Sequence, residues 1–273
     1  MSPELPRRRV LLVIPAYDEE SRLGPALRGY VDHARGRRDL AVDFLVVLNG
    51  CRDGTHGVVT AVAREAPEVS WIEYAAPIGK GGALLAGFRR HAGHDWVGFA
   101  DADGATSPET LFRLIDEPAE AVMVGRRVTS RRPWGRRVTS LGFNFIVRLL
   151  LGIPVRDTQC GAKFFRAAFV PAILAAADTC DMAVDVDLLL AARAAGATVG
   201  EREVSWRDQP GSKVRVLRTS SLMFLSVWRL WLLRRARARA LRPLLVAGEW
   251  LYARIAGRPR TSPPGECDRA SLR

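Results

Sequence analysis

Short apolar runs recur along the first two-thirds of the chain, each followed by a stretch whose apolar positions fall three or four residues apart. Val10–Ile14, Phe44–Leu48, Trp71–Tyr74, Trp96–Ala100 and Ala121–Val124 have the length and character of buried strands. Between them, Ser21–Ala34, Thr55–Arg64, Gly82–His91 and Pro108–Asp116 carry helical spacing. Strands alternating with helices predict an α/β fold with a mostly parallel sheet flanked by helices. In such sheets ligands bind beyond the carboxyl ends of the strands, so the polar residues after each strand are where chemistry is expected. No internal repeat or long linker interrupts the series.

The pattern changes near residue 217. Leu222–Leu233 is apolar and aromatic but is broken by Arg229, and it is shorter than the roughly 20 residues a spanning helix needs. A basic stretch, RRARARALR (234–242), precedes a second apolar segment (244–257) with Trp250 and Tyr252. Aromatic rings beside a cluster of arginines predict a C-terminal amphipathic, interfacial helical extension on an anionic leaflet. The alternative is that these helices pack on the domain core with their arginines in solvent. The expected organisation is one α/β domain over 1–216, membrane-interface helices over 217–258 and a disordered tail over 259–273.

Composition narrows the partners. With 273 residues and 48% apolar residues the chain can bury a sizeable core. A formal charge of +12 calls for an anionic partner: nucleic acid, anionic lipid or a phosphorylated substrate. No helix-turn-helix, zinc-finger or RNP-like pattern is present, which argues against nucleic acid. Cys51, Cys160, Cys180 and Cys267 are far apart, which suits a reducing compartment and neither a zinc ribbon nor a disulfide framework. His91 and His94 have no further ligand pair and read as a helix face. Arg7–Arg9 precede an apolar run too short for a signal peptide, so the catalytic region is expected at the cytoplasmic face of a membrane, peripherally held.

The strand Trp96–Ala100 runs directly into Asp101-Ala102-Asp103-Gly104. Two carboxylates there suit a divalent cation, Mg2+ or Mn2+, that takes its remaining oxygens from a diphosphate. A turn or helix cap is the competing reading, because Thr106–Pro108 follows. Other strand ends supply Pro15-Ala16-Tyr17-Asp18-Glu19-Glu20, Asn49-Gly50-Cys51-Arg52-Asp53-Gly54-Thr55 and Gly79-Lys80-Gly81-Gly82. The last is neither a Walker A loop, lacking Ser or Thr after the lysine, nor a completed GxGxxG, because Leu84 stands at its final position.

Taken together, VIPAYDEE (13–20), GKGGALLAGF (79–88), ADADGA (100–105), DTQCGAKFF (157–165), DVDLL (185–189) and VSWRDQPGSKV (204–214) resemble family 2 glycosyltransferases of the GT-A fold. Their order is similar to that in dolichyl-phosphate and polyprenyl-phosphate hexosyltransferases, the dolichyl-phosphate glucosyltransferase type above all. The resemblance covers roughly 9–216. It implies that Asp101 and Asp103 hold the metal on the donor diphosphate and that Pro15, Tyr17, Glu19 and Asp53 line the nucleotide site with Lys80 near the nucleotide; Asn49, at a position that departs from the family, can still accept from the base through its amide oxygen. It assigns phosphate groups to Arg127 and Arg137, with Arg126 and Arg136 as alternatives, and places Gln159 and Asp187 toward the acceptor and sugar. Asp103, Arg127, Arg137 and Asp187 are the residues it implies for catalysis. Two positions depart from the family: Leu48-Asn49 stands where two Asp are usual, leaving base selectivity open between UDP and GDP, and Ala162 stands where Phe is common.

The expected chemistry is inverting displacement at an anomeric carbon with a diphosphate leaving, from a nucleotide-diphospho-sugar to a polyprenyl phosphate. A phosphomonoester acceptor has a second pKa of about 6 and is already anionic near neutral pH, so it needs cations more than a base. Arg126, Arg127, Arg131, Arg132, Arg136 and Arg137 in one loop could provide them. Alternatives are a soluble hydroxyl acceptor, which needs Asp185 or Asp187 as base, and a non-catalytic basic protein that binds nucleotide or nucleic acid.

Overall fold

Residues 10–14 are almost wholly buried, and alternate ones enter two different cores: Val10, Leu12 and Ile14 one, Leu11 and Val13 the other. A strand buried on both faces must lie at the centre of a sheet covered by helices on each side. The computed structural model describes residues 7–128, 134–177, 183–207, 216–235 and 242–256, without the side chains of 134–141, of 145 and of several positions in the last two helices. In chain order its elements are β1 (Arg8–Ala16), α1 (Leu23–Arg35), β2 (Leu40–Asn49), α2 (Thr55–Glu65), β3 (Val69–Tyr74), α3 (Gly79–Phe88), β4 (Trp96–Ala100) and α4 (Pro108–Phe112). They continue with β5 (Val122–Val128), α5 (Trp134–Leu151), β6 (Ala162–Arg166), α6 (Val170–Ala176), α7 (Val184–Ala194), β7 (Val199–Ser205), α8 (Val216–Arg235) and α9 (Arg242–Ala256).

The described strands form one seven-stranded sheet in the order β3-β2-β1-β4-β6-β5-β7. β3, β2, β1 and β4 are mutually parallel, β5 and β7 are parallel, and β6 runs antiparallel to both β4 and β5. The chain leaves β1 toward β2 and β3, then returns to place β4 on the other side of β1. That reversal opens a crevice between the carboxyl ends of β1 and β4.

All five expected strands are present; β4 has the expected bounds, and the other four extend past their apolar runs because polar residues such as Arg8 and Asp43 still pair. Two strands, β6 and β7, were not expected. β6 (AKFFR) is five residues long and carries a lysine, and β7 (VGEREVS) buries only Val204. Neither presents a continuous apolar run. The helix expected from Gly82 starts at Gly79, so the glycine-lysine turn forms the first turn of α3. Asn49 Oδ1 accepts a hydrogen bond from the Ile78 N–H at 2.7 Å, which orders the residue just before that turn.

At the C-terminal end, Val227 and Leu230 of α8 join the core on the α3–α7 side of the sheet, and α9 packs on α8. The packing alternative therefore describes one face of α8, while Phe224, Leu244, Trp250 and Leu251 stay exposed. No helix among the described residues is long and apolar enough to cross a membrane. The expected tail (259–273), Arg131, Arg132 and the GSK segment (211–213) lie outside the described residues, as do the side chains of Arg136 and Arg137.

The close seating of α3 on β1 gives a direct check. A Cβ on Gly87 would stand 2.3 Å from Val13 Cγ1, so Gly87→Val must push helix from strand. It is expected to lower unfolding free energy by about 2–3 kcal/mol in urea titrations, although glycine is otherwise the poorer helix residue. Unchanged or increased stability would mean the two backbones are not this close.

Candidate active site

The loop after β1 and the loop after β2 are laced together above the crevice. Glu19 N–H donates to Thr55 Oγ1 at 2.8 Å, Gly54 N–H to Glu20 Oε2 at 2.6 Å and Arg52 N–H to Asp18 Oδ1 at 2.7 Å. Asp53 accepts from the N–H of Thr55 (3.0 Å) and of Glu20 (3.3 Å). Glu19 is gripped by Arg22, whose Nε and NH2 donate at 2.7 and 2.6 Å. Pro15 is half-buried at the end of β1, and Tyr17 stands 43% exposed at the rim. Asn49 is buried, with its amide oxygen on Ile78. One wall of the crevice is thus a pair of loops held by carboxylate-to-backbone bonds.

The opposite side is a line of alternating charges that leads from the crevice into the core. Lys80 Nζ lies 3.0 Å from Asp101 Oδ1 and 3.3 Å from Asp185 Oδ2. Asp185 Oδ1 accepts from Lys163 Nζ, which also donates to the Cys160 carbonyl at 2.6 Å. Side-chain exposure falls from 31% at Asp101 to 14% at Lys80, 4% at Asp185 and 0% at Lys163. Both ammonium groups stand over the Phe99 ring, at 5.7 and 5.1 Å. Burial alone would drive the Lys80 pKa down, but Asp101 and Asp185 outweigh it and hold the lysine charged. Burial would likewise raise Asp185, and Lys163 and Lys80 overcome it and keep that carboxylate ionised.

Asp101 needs the glycine of the DTQCG string. A Cβ on Gly161 would stand 1.8 Å from Asp101 Oδ2, so only a residue without a side chain leaves room for this carboxylate. Asp103 turns its Oδ1 to the Ala105 N–H at 3.0 Å. Its pKa is raised, by burial first and then by the negative charge of Asp101, with Arg22 and Lys80 pulling the other way. Two carboxylates that repel each other at the end of a strand are relieved by a cation, so the pair fits a divalent ion that shares its remaining positions with phosphate oxygens. No third His, Cys, Asp or Glu joins them among the described residues.

Arg127 lies further along the same edge. Its Nε and NH2 fork onto Asp157 at 2.7 Å each, its guanidinium stacks 5.1 Å from the Trp206 ring, and the Asp157 N–H is held by Glu201. Arg126 is paired with Glu203 at the surface. Gln159 Nε2 reaches Met223 Sδ of α8 at 3.5 Å. Asp187, in the first turn of α7, is buried two residues from Asp185.

The family model described as "Glycosyl transferase family 2" matches residues 11–174. The chain belongs to glycosyl transferase family 2. Among curated relatives, this glycosyltransferase is 33% identical to the polyprenol monophosphomannose synthase of Mycolicibacterium smegmatis, over 77% of this chain and 84% of that protein. It is 29% identical to the dolichyl-phosphate beta-glucosyltransferase of Drosophila melanogaster, over 77% and 70%. Among solved structures, the mannosyl-3-phosphoglycerate synthase of Rubrobacter xylanophilus superposes with a TM-score of 0.65 at 18% identity, covering 86% of this chain and 77% of that one. The glucosyl-3-phosphoglycerate synthase of Mycobacterium tuberculosis, in complex with Mn2+, UDP-glucose and phosphoglyceric acid, gives 0.59 at 17% identity, covering 82% and 80%. These likenesses show a shared GT-A fold.

Of the residues the motifs singled out in this glycosyltransferase, the structure joins Asp101 to Lys80, Glu19 to Asp53 through Thr55, and Arg127 to Asp157. Arg22, Gly161 and Lys163 escaped the sequence reading as site residues. Lys163 had a signal, a lysine inside the apolar string AKFF, which a buried strand tolerates only with a partner. Gly161 had none, because its need is set by a carboxylate sixty residues away.

The Arg127–Asp157 pair yields a pH test. Burial would raise Asp157, but the Arg127 bonds and charge win and lower its pKa. A depressed carboxylate contributes stability that is full above its unfolded value of about 3.9 and is lost as pH falls through the folded value. Asp157→Asn leaves Arg127 buried without its counter-ion and is expected to cost about 3–5 kcal/mol at neutral pH. The gap from wild type should narrow only below about pH 4. A gap independent of pH down to 2, in denaturant titrations, would contradict the ion pair.

Proposed function

We propose that this glycosyltransferase moves one hexose, glucose or mannose, with inversion from a nucleotide-diphospho-sugar to a polyprenyl phosphate, while attached peripherally to the cytoplasmic face of a membrane. The observation that carries the reading is the Asp101–Asp103 pair at the carboxyl end of β4, facing the loops of β1 and β2 across the topological switch point. Asp101 and Asp103 would hold a divalent ion, Mg2+ or Mn2+, against the donor diphosphate. Bound there, such an ion stabilises the negative charge that develops on the leaving group. Pro15, Tyr17, Glu19, Asn49 and Asp53 would line the nucleotide, with Lys80 beside its phosphates.

The acceptor assignment rests on charge. A hydroxyl acceptor requires a base, and one of the two candidates, Asp185, is held ionised between two ammonium groups, a poor proton acceptor. An acceptor phosphate, already anionic, needs only cations, for which Arg127 and Arg137 are the assigned residues, with Asp187 and Gln159 on the acceptor side. The relatives named for polyprenol and dolichyl-phosphate transfer support the same class of acceptor. Membrane attachment is supported by the exposed Phe224, Leu244, Trp250 and Leu251 on α8 and α9, with Arg254 stacked 5.3 Å from Trp250, an aromatic and basic surface suited to a headgroup layer.

The test is a donor panel. Purified protein with labelled UDP-glucose, GDP-mannose or UDP-galactose, a divalent metal and a short polyprenyl phosphate should carry label into a butanol phase from one donor. Asp101→Asn should reduce that transfer at least about a hundredfold without lowering the melting temperature. Label confined to water-soluble product, or full transfer by Asp101→Asn, would overturn the reading.

A further inference from the structure

Asp101 and Asp185 compete for a single ammonium. Lys80 lies 3.0 Å from one and 3.3 Å from the other, yet Asp185 is the deeper of the two, where attraction between opposite charges is stronger. Left alone, the deeper carboxylate would draw the lysine inward. It is not alone, because its second oxygen is occupied from below by Lys163. We infer that Lys163 is a positioning residue: by neutralising Asp185 from the core side it keeps the Lys80 ammonium bridged to Asp101 at the mouth of the crevice. This rests on the reading of Asp101 and Asp103 as the cation pair.

The placement of Lys163 has no packing rationale. It lies opposite Phe99 in the β4–β6 register, fully buried beside β4, a strand with no polar side chain apart from the Trp96 indole. An ammonium there is costly to desolvate, and a pair of apolar residues of the same size would stabilise the fold as well or better. Its two bonds, to Asp185 and to the Cys160 carbonyl, fix the head in one place. Summed along the line, Asp101, Lys80, Asp185 and Lys163 are neutral, and changing the innermost member must redistribute charge at the outermost.

The signs are specific. Lys163→Met leaves Asp185 with Lys80 alone, so Lys80 moves inward and Asp101 becomes more negative. Mn2+ alone, measured by electron paramagnetic resonance, should then bind roughly threefold to tenfold tighter, while metal-free UDP or GDP binds weaker by a similar factor. In a Lys80→Met background the same change should have a clearly smaller effect on Mn2+ affinity, because only the through-space field of Asp185 remains once the intermediary is gone. Lys163→Met/Asp185→Asn preserves net charge and removes the competitor, so Lys80 goes wholly to Asp101 and Mn2+ should bind roughly threefold or more weaker than to wild type. This charge-balanced variant carries the test if the single variant does not fold.

Joint weakening of Mn2+ and nucleotide in Lys163→Met, an effect undiminished without Lys80, or unchanged affinity in the charge-balanced variant would overturn the positioning role and leave the site reading standing. Failure of the wild-type protein to bind Mn2+, with or without UDP or GDP, would overturn both.

Discussion

Two carboxylates at the end of one buried strand repel each other, and the fold around Asp101 and Asp103 is organised to keep them there. β4 is buried along its whole length and leaves the core only at Asp101. Gly161, just before the neighbouring strand β6, lies beneath that carboxylate, and β6 itself brings Lys163 two positions on. Lys80 neutralises Asp101 from the first turn of α3, and Arg22 draws Asp103 down from the start of α1. The repulsion that remains is what a divalent ion and a diphosphate would relieve.

The cations of this site are divided by depth. Lys80 and Lys163 lie in the wall and are tied to Asp185, whereas Arg127 forks onto Asp157 and stands over the Trp206 ring. Each buried positive group has a buried negative partner, which is how charges survive in a low-dielectric interior. The same pairing leaves Asp185 ill suited to accept a proton, and it favours chemistry in which the acceptor arrives already ionised.

Much of the fold was legible because strands buried on both faces appear as unbroken apolar runs. The five runs that were read became β1 to β5, and the alternation with helices gave the parallel sheet and its crevice. β6 and β7 were not legible for opposite reasons: β6 hides a lysine whose partner, Asp185, lies on another element, and β7 at the sheet edge alternates charged residues that pair with Arg126 and with the backbone of Arg156 and Asp157. The helical spacing shows only from Gly82, whereas Asn49 secures the residue before the glycine-lysine string and α3 begins at Gly79. At the site, Asp101, Asp103 and Lys80 could be picked out from sequence because each follows a strand. Lys163 offered only the hint of a lysine in an apolar string, without its partner, and Gly161 offered nothing, because what defines both is contact across the sheet. Asn49, a departure from the family string, has a visible task in joining β2 to α3.

As proposed above, Asp101 and Asp103 would share one cation with a nucleotide diphosphate in the crevice between β1 and β4. Crystals grown with MnCl2 and UDP or GDP would test it most directly, through the anomalous scattering of manganese. A single strong peak is expected, in contact with one or both of these carboxylates and with the diphosphate oxygens, beside Lys80. Manganese bound away from both carboxylates, or a nucleotide seated on another face of the sheet, would contradict it.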